Sequence, residues 1–419
     1  MADLFIRNIG LLATPLGADR DRHDRPVRRI PQAAILIRDG RIVRVGPEVE
    51  ISRLVPANTP TLDAEGNLAL PGLVDCHTHP VFVGNRAAEF HLRNAGKSYL
   101  EIAAAGGGIA ASARRVREAS PECVIEESLP RFQRSLMSGV TTIEGKSGYG
   151  LDWLGERKLL EILREIETRI PQRLHRSFLI HALPESYSNR REEFLRDVIG
   201  EMIPAVAAEK LASQVDVFCE KGAFTVDESR QFLRAAQEHH LAIMVHANQF
   251  GHSGGALLAA ELRARSANHL EYLSDEEIKA LNVAGTVAVV LPACVFFLGT
   301  IPYPPVRRMI ELGLRVAIAT DMNPGSSMTE SLPFCLTAAA VHCRMTPEEL
   351  LWAATLDAAR ALDADREVGS IEEGKLADIS LWTVPDLESH SYHFGNLRAA
   401  SVIIGGKLVW RDRDATRYY

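Results

Sequence analysis

Two hydrophobic rhythms alternate along the middle of the chain. Short apolar runs of β character recur as "GLVDCH" (72–77), "VTTIEGK" (140–146), "SFLIHA" (177–182), "VDVFCE" (215–220), "AIMVHA" (242–247), "ANHLEY" (267–272), "VAVVLP" (287–292) and "VAIATD" (316–321). Between them lie stretches with apolar residues at helical spacing, such as "ERKLLEILREIE", "DESRQFLRAAQEHH" and "MTPEELLWAATLDAARAL". In the last of these, Thr346, Pro347 and Glu349 stand where a helix N-terminus wants them. Eight β runs with helical crossovers predict an α/β fold, a (β/α)8 TIM barrel. A doubly wound open sheet is the second arrangement, and the lack of G-x-G-x-x-G after the first run weakens its dinucleotide-binding form.

The two ends have a different texture. "DLFIRNIGLLA", "AAILIRDGRIVRVG" and "TPTLDAEGNLALPG" are β-like runs punctuated by Asp-Gly and Glu-Gly turns, and "KLADISLWTV" and "ASVIIGGKLVWRD" repeat the pattern near the C-terminus. The expected organisation is a small composite β-sandwich domain built from residues 1–66 and 367–419 around a catalytic barrel over 67–366.

Composition narrows the function classes. A chain of 419 residues with 46% hydrophobic and 24% charged positions is ordinary for a large globular enzyme. A net charge of −7 offers no general attraction to nucleic acid or an anionic membrane, and the Arg-rich "DRDRHDRPVRR" is broken by aspartates and reads as a solvated loop. No apolar run approaches the ~20 residues that span a bilayer, and "MADLFIRNIG" does not resemble a secretory signal. The six cysteines form no C-x-x-C pair and read as reduced thiols, so the expected setting is the cytoplasm, with no nucleic-acid or membrane partner.

The candidate chemistry sits at the ends of the β runs. In "DCHTHP", His77 and His79 are two residues apart and face the same side of an extended strand. His181, His246, His269 and Asp321 also lie at or just past the C-terminal ends of their runs, the face where barrel enzymes keep their chemistry. A lone histidine is more often a hydrogen-bonded structural residue, but five of them with an aspartate on one face point to a metal site. We assign His77, His79, His246 and Asp321 as ligands to one divalent ion, zinc or ferrous iron, with a position left open for water. Such an ion lowers the pKa of its water from 15.7 toward ~7, giving hydroxide at neutral pH. His269 then polarises a carbonyl or holds the attacking water, and His181 is a substrate-facing donor.

"PGLVDCHTHP", "VHANQ" and "ATDMNPG" resemble the amidohydrolase superfamily. The ordered set "HTHPVFVGNRAAEF", "AGGGI", "TTIEGKSGYGLD", "HALPESY", "VDVFCEKGAF", "SANHLEYLSD", "YPP", "TDMNPGSS" and "TESLPF" is similar, over nearly the whole chain, to the imidazolonepropionases. That resemblance implies a small-molecule substrate, 4-imidazolone-5-propanoate, whose ring amide is opened to N-formimidoyl-L-glutamate with one metal ion and no organic cofactor. It implies metal binding by His77, His79, His246 and Asp321, and substrate binding by Arg86, Tyr149, His181, Asn323, Gly325 and Ser326. It also implies a homodimer. A propionate tail suits a planar guanidinium such as Arg86. Asp321 and His269 are expected to share acid–base duty. Lys146 is read as structural or as lying behind the ligands, which fits a mononuclear centre.

Some positions depart from the resemblance. In "VHANQF", Asn248 stands where an acidic residue is usual, and Gln249 occupies a position that is Glu in some members and Gln in others. Gln249 is a candidate catalytic residue, but an amide there cannot act as the carboxylate shuttle of deaminases. Cys294 and Met322 replace residues common at the pocket. These departures keep open a related ring, a propionate-bearing hydantoin or thio-substituted imidazolone. A deaminase is disfavoured by Gln249 and Arg86, and a scaffold that had lost catalysis is disfavoured by the presence of all four ligands.

Overall fold

The computed structural model describes residues 3–17, 25–97, 101–102 and 106–414. Eight parallel strands follow one another around the barrel: β1 (Leu73–Asp75), β2 (Val140–Lys146), β3 (Arg173–Ile180), β4 (Gln214–Cys219), β5 (Ala242–Ala247), β6 (Ser266–His269), β7 (Val287–Val290) and β8 (Val316–Ile318). Strands buried on both faces read as continuous apolar runs rather than alternating ones, which is why the runs were visible in the sequence. Closure occurs beyond the last regular residues of β1 and β8. Asp321 N–H donates to His77 O over 3.0 Å, and His79 N–H donates to Met322 O over 2.9 Å. Thr78 and Met322 form the bridging pair.

Several strand ends differ from expectation: β1, β7 and β8 stop at Asp75, Val290 and Ile318, two or three residues short of their runs, and two further ends have a visible cause. β3 starts at Arg173, ahead of the apolar run, because Arg173 is drawn to the terminal sheet: its Nε lies 2.8 Å from Asp378. β6 stops at His269, where the backbone turns left-handed (φ 78° at His269, 65° at Leu270), so "LEY" is not strand.

The chain ends build one mixed sheet of eight strands. Leu4–Pro15 pairs along its length with Val27–Arg38, while Thr61–Asp63 and Leu68–Pro71 lie beside its first and second halves. Ile379–Trp382 pairs antiparallel with Leu68–Pro71, which joins the C-terminal strands to the N-terminal ones. Ile6, Ile35, Ile37, Ile379 and Ile403 belong to the apolar core of this sheet. Both predicted hairpins form tight turns with two positive φ values, 48° and 74° at Asp39-Gly40, 55° and 74° at Gly405-Gly406. The expected solvated loop over 19–29 falls mostly outside the described residues, but Val27, Arg28 and Arg29 are already strand.

Helices cover the barrel as the apolar spacing predicts, over Trp153–Glu167 and Val226–Glu238 among others. Thr346 and Glu349 form the expected reciprocal cap. The helix that follows is not one piece. It breaks at Thr355 into Pro347–Ala354 and Leu356–Ala361, with Thr355 Oγ1 bonded back to Leu351 O at 2.5 Å. Among the described residues no helix is long and apolar enough to cross a membrane.

Candidate metal centre

The last residues of β5 and β6, and the residues just past β1 and β8, bring five buried groups to one point. The ligand atoms of His77, His246 and His269 lie within 4.8 Å of one another, as do those of His77, His79 and Asp321. Asp321 Oδ1 is 3.3 Å from His79 Nε2 and 3.6 Å from His77 Nε2. The four expected ligands and His269 therefore fall into two such triads that share His77. His269, Asp321 (φ 51°) and Asn248 (φ 56°) all hold left-handed backbone, a strain that collects at functional strand ends.

The electrostatics suit a cation. Burial, reinforced by the Lys146 charge, holds His77 well below the usual imidazole range, so its lone pairs are available. Burial also lowers His79 against the pull of Asp321, and lowers His246 to about 4 despite Asp216. Both ring nitrogens of His77 and Nδ1 of His79 are buried without a hydrogen-bond partner. Unpartnered buried polar atoms are costly, and neutral imidazoles with a carboxylate are the donor set of a hydrolytic zinc-type site, so the residues fit such an ion. His269 behaves differently. Burial disfavours its charge, but the Glu271 carboxylate, 3.4 Å from Nδ1, and Asp321 outweigh this and raise it.

Beneath the cluster the barrel interior is charged rather than aliphatic. Lys146 Nζ lies 2.7 Å from Glu144 Oε1 and 2.7 Å from Asp216 Oδ2. β2 and β4 are separated by β3, so these side chains meet across the inside of the barrel. Ser177 and Gln214 donate to Glu144, the latter at 3.2 Å. Asp216 Oδ2 is also 3.0 Å from His246 Nδ1. Lys146 thus lies behind the ligands as expected. Asp216, Glu144 and Glu271 were not foreseen, although charges alternating with apolar residues in a strand buried on both faces are a readable signal.

Three of the expected substrate residues, Arg86, Asn323 and His181, have partners within the protein that bear on their expected roles. Arg86 is not free, because Nε and Nη2 face Glu89 at 2.8 and 2.7 Å. Its Nη1 packs on Gly325, where an added Cβ would come within 2.2 Å. Asn323 organises its own loop: its amide donates to Asp321 O (2.7 Å) and Ser326 Oγ (2.9 Å) and accepts from Gly325 and Ser326 N–H at 2.8 Å each. Ser326 Oγ lies 3.4 Å from Asp321 Oδ2. His181 was expected to present a donor. Its Nδ1 is 3.0 Å from Gly148 O, a carbonyl that can only accept, and burial holds the ring neutral with a pKa of about 3. Nε2 is therefore an acceptor.

Tyr149 is buried edge-on to His181 at 5.7 Å and 6.2 Å from His79. Gln249 turns its amide to Cys294 Sγ at 3.7 Å while its N–H meets Glu220 at 3.0 Å. Met322 and Cys294 are fully buried beside the cluster.

The sequence pattern of the amidohydrolase family matches residues 68–409. The chain is 44% identical to the imidazolonepropionase of Symbiobacterium thermophilum over 412 residues, 97% of each chain. It is 42% identical to that of Geobacillus kaustophilus, over 98% of this chain and 99% of the relative. Among solved structures, a triazine hydrolase variant superposes with a TM-score of 0.74 at 19% identity, covering 98% and 95% of the two chains. An adenosine deaminase from Xanthomonas campestris with bound zinc gives 0.74 at 18%, covering 99% and 94%. These distant structures share the fold, and the close full-length relatives fix the family. The chain belongs to the imidazolonepropionases, a branch of the metal-dependent amidohydrolase family.

Proposed function

We propose that this enzyme opens the ring amide of 4-imidazolone-5-propanoate to N-formimidoyl-L-glutamate. The observation that carries the reading is that one loop, Asp321–Ser327, joins the His77–His79–Asp321 cluster to the Arg86 guanidinium, which packs on Gly325. The 44% full-length identity to a named imidazolonepropionase supports it.

His77, His79, His246 and Asp321 would hold one divalent ion, zinc or ferrous iron. When bound, it supplies Lewis-acid polarisation of the ring carbonyl and acidifies a water. The chain's own residues do the rest. Arg86, steadied by Glu89, directs Nη1 to the propionate carboxylate. His181 Nε2 accepts a ring N–H, and Tyr149 closes one side of the ring. His269, its charge favoured by Glu271, donates to the carbonyl oxygen as negative charge develops there. Asp321 Oδ2 takes the proton of the attacking water and passes it to the ring nitrogen. The carbonyl carbon gains the water oxygen and stays on the product as its α-carboxylate, its bond to nitrogen breaks, the nitrogen stays in the formimidoyl group, and the second proton of the water goes to solvent. A cytoplasmic setting is supported by six free cysteines, five of them buried.

The test is an ultraviolet assay with freshly made imidazolone propionate and metal-replete protein, following loss of the ring chromophore. Turnover of about 1–10³ s⁻¹, abolished together with metal binding in His246→Ala, is expected. Negligible turnover by a folded, metallated protein overturns the reading, and activity on a propionate-bearing hydantoin would then identify the ring.

A further inference from the structure

We infer that Asp216 is the positioning residue of His246, fixing the ring nitrogen it offers to the metal, and that Lys146 and Glu144 exist to hold Asp216. The inference rests on the reading that His246 is a ligand.

Three observations carry it. Asp216 Oδ2 is 3.0 Å from His246 Nδ1, close enough for a hydrogen bond but at an angle that leaves Nδ1 without a formal partner. A carboxylate on Nδ1 selects the tautomer whose Nε2 is unprotonated, and metal-bound histidines are characteristically oriented this way. Next, the same oxygen of Asp216 is 2.7 Å from Lys146 Nζ, and Lys146 is anchored on its far side by Glu144 Oε1 at 2.7 Å. Glu144 is itself fixed by Ser177 and by Gln214. The chain Glu144–Lys146–Asp216–His246 therefore runs from β2 through β4 to β5 across the interior, with Lys146 between two carboxylates and Asp216 between an ammonium and an imidazole. Finally, all four side chains are buried: Glu144, Lys146 and Asp216 are inaccessible and His246 is 3% exposed. A barrel interior is normally filled by branched aliphatics, and burying two carboxylates and an ammonium instead is expensive unless they serve geometry. Apolar residues would fill the same space without fixing the His246 ring. With an ion in place, Asp216 accepts from Nδ1–H and the ring loses its freedom to rotate or to present Nδ1.

The experiment uses the full-length protein stripped of metal and titrated with zinc against a chromophoric chelator, alongside the cobalt(II)-substituted absorption spectrum. Asp216→Ala should weaken zinc binding by about 10–100-fold and alter the cobalt ligand-field bands. Asp216→Asn, whose carbonyl oxygen still accepts from Nδ1–H, should stay within about threefold of the parent if positioning rather than charge is the role. Wild-type affinity and spectrum in Asp216→Ala, or equal losses in Ala and Asn, overturn the inference. Thermal melts of the metal-free forms separate a folding defect from a metal defect. If Asp216→Ala does not fold, histidine NMR of the unsubstituted zinc protein decides instead: a protonated Nδ1 with Nε2 on the metal is required, and coordination through Nδ1 refutes it. His246→Ala is the control for the parent reading. Retention of zinc there removes His246 as a ligand, whereas loss of zinc there with none in Asp216→Ala sinks only the present inference.

Discussion

The backbone N–H of Asp321 donates to the carbonyl of His77 over 3.0 Å, so the bond that closes the barrel also sets two of the candidate ligands side by side. Closure and metal binding are separable because the closing contacts use main-chain atoms and the Asp75 carboxylate, which accepts from Thr320, and not the Asp321 side chain. Asp321→Ala should keep the fold, since the N–H is untouched, but lose the carboxylate facing His77 and His79. Zinc affinity is expected to drop at least about 100-fold, with the metal-free melting temperature little changed. A melting temperature that collapses in the metal-free state would show that the carboxylate is needed for closure itself.

Gly325 is a place where a methyl group reports on substrate recognition. Its Cβ would stand 2.2 Å from Arg86 Nη1, and Arg86 cannot retreat freely because Glu89 holds its other edge at 2.7 Å. Gly325→Ala should therefore displace the guanidinium from the propionate and raise KM by about tenfold, with kcat within about twofold. Steady-state kinetics check it. A fall in kcat at constant KM would place Arg86 nearer the reacting carbon than the propionate.

The barrel was legible because strands buried on both faces leave unbroken apolar runs, and the buried His/Asp cluster was legible because each of its members stands at or just past the end of such a run. What stayed hidden depended on contacts across sequence distance. Lys146 and Asp216 are separated by 70 positions, and nothing local to either announces their 2.7 Å contact. The sense of the His181 hydrogen bond is fixed by where Gly148 O happens to lie, which no spacing encodes. Arg86 was expected to meet a propionate, and its pairing with Glu89, only three residues on, is a local contact rather than a distant one. The Thr355 break was masked by good helix formers on both sides of it.

Glu156 clamps the loop that carries Tyr149. Its carboxylate accepts from the N–H groups of Gly148 (2.7 Å), Gly150 (2.8 Å) and Leu151 (2.6 Å), and it is buried in the first turn of the helix Trp153–Glu167. Glu156→Ala leaves three donors without an acceptor and should cost about 2–4 kcal/mol of stability while raising KM through a loosened Tyr149. Glu156→Gln keeps an oxygen for Gly150 and Leu151 and should recover most of both effects. Calorimetry and kinetics on the pair check this, and a silent Glu156→Ala would mean that the loop holds itself.

His390 supplies a pH dependence remote from the metal. It is buried against Trp382, edge to face at 4.4 Å, its Nε2 has no hydrogen-bond partner, and burial lowers its pKa from 6.5 to about 4. The folded protein therefore resists a proton that the unfolded chain accepts. The sign follows: this contribution is complete above pH 6.5 and is lost as pH falls toward 4. The gap between the two pKa values corresponds to about 3 kcal/mol once both states lie well below 4. His390→Leu removes the proton site while keeping an apolar group on Trp382. Its melting temperature should fall less steeply than the parent's between pH 6.5 and 4, while the half-buried His181, which titrates in the same sense, keeps some slope in both proteins. Parallel melting curves for the two proteins across that range would mean that His390 is not held neutral by burial.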